Sequence, residues 1–284
     1  MMQGMETQTN AEIPVVRIEP RRGIFQLDLK AVWQYRELLY FLVWRDLLVR
    51  YKQTVIGVGW AILQPLVSMA IFTVIFGMFA RIPSVGLPYP VFAYCALLPW
   101  NYFASALQRS NASVVSDANL ITKIYFPRLI LPIAGTVSGI IDFSISLGFL
   151  FGMLAWYNIK ITWLVFLIPA FLLLALLTAL AFGLWFSALN VRYRDVGYAV
   201  PFVIQIWMFL SPVVYPVSMI PEKYRWIYSL NPMVGVIEGF RWGLLGKAGP
   251  DFGVMAASIV VVLVVLAGGL LFFKNMERTF ADVV

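Results

Sequence analysis

Six charge-poor runs divide this 284-residue chain, and each is long enough to cross a membrane. A helix rises about 1.5 Å per residue, so roughly 18 or more apolar residues are needed to cross about 30 Å of hydrocarbon. The runs lie at 54–80, 90–108, 131–157, 161–188, 196–216 and 252–273. With 61% hydrophobic and 12% charged residues, the composition also differs from that of a soluble domain. The sequence therefore predicts an all-α membrane protein with six transmembrane helices.

The distribution of positive charge predicts the orientation of these helices. If the N-terminus is cytoplasmic, 15 of the 21 Lys and Arg residues lie on the cytoplasmic side and six lie outside. Cytoplasmic loops of membrane proteins carry an excess of Lys and Arg, so both termini are expected in the cytoplasm. The net charge of +7 is then a signal of topology, and nucleic acid is not an expected partner. Because polar and charged residues precede the first apolar run, no cleavable signal peptide is expected.

The segment before the first run predicts an amphipathic helix at 31–52. Apolar residues recur from Val32 to Tyr51 at steps of three and four, and most charged residues occupy the other positions. Such a helix lies in the membrane interface and does not cross it. Residues 1–30 are predicted to form a flexible cytoplasmic tail. For any single cation of the helix, anchoring to the anionic leaflet is the simplest role.

The composition excludes several chemistries. The chain has no histidine, which removes the commonest proton shuttle and metal ligand, and a single cysteine, Cys95, which excludes an internal disulfide. A phosphate-binding loop needs G-x-x-x-x-G-K-[ST]. The nearest string is Gly246-Lys247-Ala248, where Arg241 replaces the leading glycine and the hydroxyl is missing. We therefore expect neither a metal nor a cofactor in this chain, and expect any ATP and Mg to be bound by a partner subunit.

The segments between the runs carry the remaining local signals. The 109–130 loop is long enough for a short helix, which Ser116 or Asp117 would cap and Pro127 would end. The loop at 190–202 is short and basic. The outer segment 218–246 contains prolines and only short uncharged runs, so re-entrant or interfacial helices fit it better than a seventh span.

One carboxylate and two glycine motifs lie inside these helical segments. Asp142 is at mid-depth if the third helix begins at Leu131 and near the interface if it begins at Gly135, so its role stays open. A single carboxylate inside the spans is weak support for a proton relay. Small-residue spacing occurs at Gly148-x-x-x-Gly152 and at Gly235-x-x-x-Gly239-x-x-x-Gly243, and we interpret both motifs as helix packing.

Several stretches, in the same order and spacing, resemble the transmembrane subunit of type-2 ABC exporters for polysaccharides, which move O-antigen, capsule and teichoic acid. The matching stretches are RDLLVRYKQTVIGVGWAILQPL at 45–66, LLPWNYFASAL at 97–107, NASVVSDANLITKIYFPRLILP at 111–132, NVRYRDVGYAVPF at 190–202, and SPVVYP followed by NPMVGVIEGFRW at 211–242. The resemblance covers nearly the whole chain after Leu29 and implies a transmembrane domain at 31–284.

The resemblance implies a pore in the bacterial inner membrane, formed by two copies of the chain and driven by two cytoplasmic ABC ATPase subunits. The implied cargo is a glycan linked to polyprenyl pyrophosphate. The implied contacts with the ATPase are Ser116, Asp117, Asn119, Leu120, Ile121, Lys123, Arg192, Arg194 and Asp195. The implied outer gate contains Asn231, Pro232, Glu238 and Arg241. The cations implied to attract the head group at the cytoplasmic entrance are Arg45, Arg50 and Lys52.

Deep aromatic side chains are the candidates for lining a sugar path, because flat apolar rings stack on sugar rings. The candidates are Phe72, Phe76, Tyr94, Trp185, Trp207 and Tyr215. Most deep aromatics of membrane bundles pack against protein or lipid, so packing is the simpler alternative for each ring.

Three other functions remain open at this point. The first is a type-2 ABC exporter of drugs, lipids or other small molecules. An ion-coupled carrier would transport without an ATPase, although such carriers usually bury several carboxylates. A membrane-embedded glycosyl- or acyltransferase would need a base and positioned acids inside the membrane.

Overall fold

The computed structural model describes residues 29–52, 54, 57–246, 249 and 251–280, and these residues form twelve α-helices and no β-strand. The helices are α1 Leu29–Gln34, α2 Arg36–Tyr51, α3 Trp60–Phe72, α4 Tyr89–Ser116, α5 Ala118–Lys123, α6 Ile130–Val137, α7 Ile140–Trp156, α8 Ile168–Arg192, α9 Val196–Phe209, α10 Glu222–Tyr228, α11 Pro232–Leu245 and α12 Phe252–Met276. Nearly all of the predicted tail lies outside the described residues.

Four helical stretches of the described chain are long and apolar enough to cross a membrane. They are Gly57–Phe79, Ile130–Trp156, Trp163–Arg192 and Phe252–Thr279, with Val196–Phe209 as a shorter apolar helix. Four of the six predicted runs therefore match candidate spans by length and composition. The prediction of an all-helical membrane protein is confirmed at this level, and the count of six spans stays a prediction.

Helix α4 lies at the centre of the bundle. Its 28 residues extend about 42 Å, which exceeds the thickness of the hydrocarbon. It packs against α3, α6, α7, α8, α9 and α11, and Val91, Tyr94 and Phe103 on it are fully buried. Because protein surrounds the helix, its side chains need not match lipid. Buried polar residues such as Ser110 and Asn111 therefore occur along α4, and it is not among the four strongly apolar stretches.

Two of the predicted runs are interrupted in the structure. The run 131–157 is divided into α6 and α7 by a turn at Ser138 and Gly139. Side chains of α4 satisfy carbonyls next to this break: Arg109 Nε donates to Gly135 O at 2.9 Å, and the Tyr102 hydroxyl donates to Thr136 O at 3.2 Å. The run 196–216 is helical only as far as Phe209, which is about 21 Å and less than the hydrocarbon thickness. The prolines that follow at 212 and 216 account for this early end.

The apolar stripe of the N-terminal helices packs against protein. Leu38, Leu39 and Leu42 belong to a cluster that also contains Ile130 of α6 and Phe273 of α12. The opposite side of α1 and α2 leaves large apolar side chains exposed, namely Trp33, Tyr40, Phe41, Trp44 and Leu48. The periodic stripe that the sequence displays is therefore the protein-facing side of this helix, and the exposed rings are the groups available to lipid.

The two glycine motifs differ in their surroundings. A Cβ atom on Gly235 would lie 2.7 Å from the Ser258 side chain of α12, and one on Gly239 would overlap the Phe171 ring of α8. A Cβ atom on Gly148 or Gly152 would meet nothing within 4 Å. The α11 motif thus packs inside the chain, as predicted, whereas the α7 motif faces open space within one copy.

This difference predicts opposite effects for the same substitution. We expect Gly239→Ala to lower the free energy of unfolding by about 1–3 kcal/mol, the usual cost of overpacking a close contact. Gly152→Ala is the matched control, and should be neutral or slightly stabilising because alanine favours a helix. Thermal unfolding of both variants in detergent measures the effect. Equal melting temperatures for the two variants would contradict the α11 packing described here.

Candidate functional site

The segment 117–128, here called the α5 loop, projects from one end of the bundle. It contains α5 and the chain that leads to α6. Ile121 and Phe126 are buried in the cluster beneath the loop. Ile124 and Tyr125 are 54% and 81% exposed, and Lys123 beside them is also exposed. The loop therefore has an apolar base that holds it to the bundle and an exposed tip of mixed character.

Asp117 holds the start of the loop to α2. It occupies the N-cap position of α5, but its side chain makes no capping hydrogen bond, in contrast to the prediction. Both carboxylate oxygens instead accept from the Arg45 guanidinium, at 2.6 and 2.9 Å. Asp46 accepts from the same guanidinium at 3.1 Å. The hydrogen bond with Asp117 is the main cause that raises the pKa of Arg45 above its ordinary value, so the Arg45 guanidinium stays charged.

Glu277 holds the far end of the loop to the end of α12. Its carboxylate accepts from the Arg128 backbone N–H at 3.3 Å and from Lys274 Nζ at 3.0 Å. The Arg128 guanidinium donates to the Glu277 carbonyl and lies over the Phe280 ring at 6.0 Å. The loop is thus attached by charged groups to two different helices.

The remaining predicted ATPase contacts lie at two places. Ser116 ends α4 and donates to Ser113 O, Asn119 is exposed, and Leu120 is half-buried. Arg192, Arg194 and Asp195 form the exposed turn between α8 and α9. This turn also exposes Tyr193, and the first turn of α9 exposes Tyr198; neither tyrosine was predicted as a contact from the sequence.

The predicted head-group cations have different surroundings. Arg45 is engaged by its two aspartates, and Arg50 is paired with Asp142 of α7. The Tyr51 hydroxyl also donates to Asp142, while burial and this contact raise the pKa of Tyr51 to about 12. Lys52 is exposed and makes no ion pair with the part of the chain that the structure describes.

The contact with Arg50 gives Asp142 a structural role that the sequence left open. Helix α7 begins at Ile140, so Asp142 lies in its first turn, near the end of α2. An unpaired charge within a membrane helix costs about 2.5–3.5 kcal/mol on insertion scales, and the guanidinium of Arg50 offsets this cost. Asp142 is thus part of a contact between α2 and α7.

A cavity of about 380 Å³ opens next to this ion pair. Arg50, Tyr51 and Asp142 lie on its wall, together with several polar side chains of α3, α4 and α7. The polar lining includes Gln64, Asn101, Ser105, Gln108 and Ser146. Hydroxyl and amide groups of this kind can exchange hydrogen bonds with a polar ligand.

Arg109 is the functional candidate that the sequence reasoning missed. It was counted within a loop, but α4 continues to Ser116 and places Arg109 inside the bundle. Besides its bond to Gly135, it donates to Ser105 Oγ at 3.3 Å. It also lines a second cavity, of about 470 Å³, between α2, α4 and α6. The sequence signal was an arginine that follows a long uncharged run. Ending the predicted span at this charge places the arginine in a loop, although the helix continues beyond it.

Five of the six deep aromatic candidates belong to or pack against one hydrophobic cluster of the bundle, and Trp185 packs apart from it. Phe72 and Phe76 form an edge-to-face pair with centroids 5.7 Å apart. Tyr94 is fully buried beside Phe149. Trp185 stacks on a phenylalanine of α12 at 4.7 Å and donates to Val265 O.

The other two candidates lie near α11. The Trp207 ring packs between Phe103 and Phe182, and Tyr215 shares a hydrogen bond of 3.1 Å with Tyr228. All six rings therefore have packing partners, and the assignment of any of them to a sugar path stays a prediction.

The predicted outer-gate residues hold the chain between α9 and α10. Asn231 Oδ1 accepts from Met233 N, which caps α11, and from Trp207 Nε1 at 2.9 Å. Its amide group donates to Leu210 O and Ser211 Oγ. Pro232 follows as the first residue of α11.

Arg241 completes this outer network. Its guanidinium pairs with Glu238 at 3.0 Å and donates to Val213 O at 3.0 Å. It also lies 3.7 Å from the centroid of the Phe92 ring. Arg241 is only 6% exposed, and these partners hold the segment after α9 against α4 and α11, while Arg241 Nε has no hydrogen-bond partner among the described residues.

Comparisons with known proteins identify the family. The family model described as ABC-2 type transporter matches residues 37–245. The O-antigen export system permease protein RfbA of Myxococcus xanthus is 31% identical, over 89% of this chain and 98% of the relative. RfbA of Klebsiella pneumoniae is 28% identical, over 87% of this chain and 95% of the relative.

A more distant relative extends the comparison. The polysialic acid transport protein KpsM of Escherichia coli is 24% identical, over 82% of this chain and 91% of the relative. The family match spans most of the chain, includes the α5 loop and the outer network, and agrees with the apolar helices. This multi-pass membrane protein belongs to the ABC-2 type transporter family.

Proposed function

We propose that this chain is the membrane subunit of an ATP-driven exporter that moves a lipid-linked polysaccharide, such as O-antigen, across the bacterial inner membrane. The observation that carries this proposal is the match to O-antigen export permeases along almost their entire length. The polysialic acid transporter supports the broader substrate class, since it too is named for a glycan.

The proposed topology has six spans with both termini in the cytoplasm. Helix α4 is long enough to be one of them, and α9 together with the chain that follows it would form the fifth. The helices α1 and α2 would lie in the inner interface, where exposed aromatic rings favour the boundary between head groups and acyl chains. Helices α10 and α11 would then face outward as the gate. The excess of Lys and Arg on the α5 side supports this orientation.

A second copy of the chain would complete the path. The window of the first span is only 6% buried within one copy, and α3 exposes Val67 and Ile71. Helix α9 similarly exposes Phe202 and Ile206. Apolar faces of this extent require either lipid or another protein surface. We place the two-copy interface and the path along α3 and α9, with the remaining exposed faces toward lipid.

Two cytoplasmic ABC ATPase subunits would bind ATP and Mg and would dock on the α5 loop. The permease itself lacks the glycines and hydroxyl of a phosphate-binding loop. The exposed Lys123, Ile124 and Tyr125 form the natural contact, because aromatic and aliphatic anchors dominate protein interfaces. The turn at Arg192, Arg194 and Asp195 would provide the second contact. The buried Ile121 would hold the loop in place, without touching the partner.

The pyrophosphate head group would enter beside the 380 Å³ cavity. Lys52 is exposed at the end of α2, and Arg50 lies on the cavity wall. Cations next to a membrane attract anionic head groups by about 1 kcal/mol each. Arg45 contributes less to this attraction, since two carboxylates already engage it.

Reconstitution in vesicles tests the proposed function as a whole. The chain and its ATPase are incorporated with a lipid-linked glycan, and transfer of the glycan across the bilayer is followed with ATP, without ATP, and with an ion gradient alone. We expect transfer only with ATP and both subunits. Transfer driven by the gradient alone would indicate an ion-coupled carrier, and ATP-dependent efflux of small amphiphiles without glycan transfer would indicate a different substrate class.

The docking assignment predicts a loss of ATPase association. We expect the double substitution Ile124→Ser with Tyr125→Ser to weaken association by about tenfold or more, the range for removal of central interface anchors. The matched control is Tyr157→Ser with Ile161→Ser, which changes the same residue types in an exposed loop at the opposite end. Co-purification of the ATPase from detergent-solubilised membranes provides the measurement. Equal recovery of the ATPase with both variants would remove the docking assignment.

The entrance assignment predicts a dependence on the charge at position 52. We expect Lys52→Glu to reduce glycan export by about fivefold to tenfold, because it removes an attraction worth about 1 kcal/mol and adds repulsion. Lys160→Glu, an exposed lysine in the opposite loop, is the control of identical charge change. Surface glycan is quantified at matched permease levels. Normal display in the Lys52→Glu strain would leave only an anchoring role for this lysine.

A further inference from the structure

The exposed tip of the α5 loop is carried between two charged contacts, and those contacts lie on separate helices. Arg45 of α2 holds Asp117, which directly precedes α5. Glu277, directly after α12, holds Arg128 at the other end of the loop. The Tyr35 hydroxyl adds a longer contact of 3.4 Å to Tyr125 O. The loop is therefore tied to both terminal parts of the described chain.

Folding stability alone does not account for these contacts. The Arg45 side chain is more than a third exposed, and ion pairs of such exposure contribute little to stability. Ile121 and Phe126 already anchor the loop by apolar burial. Asp117 also leaves α5 without a side-chain cap, although capping typically stabilises a helix by about 1 kcal/mol. The side chain of Asp117 therefore fixes the position of the loop and does not provide the cap that would stabilise α5.

Both contacts lead onward to other parts of the bundle. The end of α2 is joined to α7 through Arg50, Tyr51 and Asp142, and the chain then continues into the first candidate span. Helix α12 packs along α8 and α11, and Ser258 of α12 accepts a hydrogen bond from Gly235 N at 3.2 Å. One contact thus points toward the cavity beside α2, and the other toward the outer network around α11.

We propose that Arg45 and Glu277 are positioning residues that transmit displacement of the α5 loop to α2 and α12, respectively. This inference rests on the proposed function, since an ATPase must move the loop. If the loop were flexible, its tip could move with a docked ATPase without displacing α2 or α12. Bidentate and backbone-directed charged contacts limit such flexibility, because they fix direction as well as distance. Coupling between separated sites requires structural elements that contact one another and that can each adopt two arrangements.

Charge reversal with reciprocal rescue tests the first contact. In the complete reconstituted transporter, we expect Arg45→Glu to retain the bound ATPase and ATP hydrolysis while glycan export per ATP falls by about tenfold, within the usual range for coupling between sites. The double variant Arg45→Glu with Asp117→Arg should recover most of the export per ATP. Arg45→Gln, which removes only the charge, replaces the reversal if Arg45→Glu does not assemble.

Arg36→Glu is the matched control, because Arg36 is exposed on the same helix and makes no ion pair with the described residues. The inference is overturned if Arg45→Glu exports as much glycan per ATP as Arg36→Glu. It is also overturned if the double variant fails to recover, or if the loss of export matches the loss of bound ATPase.

A conservative pair tests the second contact. Glu277→Gln keeps an oxygen that can accept from the Arg128 backbone N–H, whereas Glu277→Ala removes it. We expect Glu277→Ala to lower export per ATP and Glu277→Gln to retain most of it. Equal behaviour of the two variants would overturn the role of Glu277. Absence of ATP-dependent export by the wild-type complex would contradict the proposed function. Wild-type export that these substitutions leave unchanged would contradict only the roles of Arg45 and Glu277.

Discussion

The burial of α4 is the constraint on which the rest of the structure depends. A helix about 42 Å long stands inside a ring of other helices, and it provides the surface against which α3, α6, α7, α8, α9 and α11 pack. Since its neighbours cover it, α4 carries polar groups that a lipid-facing helix could not. Arg109 and Tyr102 use this freedom to satisfy backbone carbonyls at the break between α6 and α7. Such a break within a candidate span is tolerated because protein covers it.

Two arginines near the α5 end form ion pairs that join separate parts of the bundle. Arg45 joins the α5 loop to α2, and Arg50 joins α2 to α7. These pairs neutralise two of the three cations predicted at the entrance. Lys52 makes no ion pair with the described residues and is the cation that we propose for an anionic ligand. Helix α2, for which we propose a position in the membrane interface, thus directly contacts the loop where we place the ATPase.

The α11 end is held by a different kind of network. Asn231 and Arg241 bind backbone carbonyls of the chain after α9, and both are themselves fixed by buried partners. A buried guanidinium with a carboxylate, two carbonyls and a ring around it is costly to disturb one contact at a time. If this region opens to release a glycan, we expect it to move as a unit. Helix α12 connects it to the α5 end and completes a route from the proposed motor contact to the proposed gate.

The sequence by itself determined the helical membrane class, most of the long apolar stretches, the presence of a short helix within 109–130 and the family. These features depend on windows of about 20 contiguous residues, which are long enough for hydropathy and periodicity to be read from the sequence. The family resemblance also directed attention to Asn231 and Arg241, whose role in a gate stays a prediction. The early end of α9 and the length of α4 were not predicted, because a proline or a polar residue has different consequences in lipid and inside protein.

Tertiary structure alone decided how these side chains are used. The pairs of Arg45 with Asp117 and of Arg50 with Asp142 join residues 72 and 92 positions apart, and Arg128 meets Glu277 across 149 positions. No local pattern encodes such separations, since they arise when several helices pack at once. The same holds for the two glycine motifs, whose spacing is alike in sequence and whose neighbours differ. Packing converts Asp117 from a predicted cap into an anchor, and Asp142 from an isolated acid into a partner, because a charge near the membrane is stabilised by whichever opposite charge the fold brings to it.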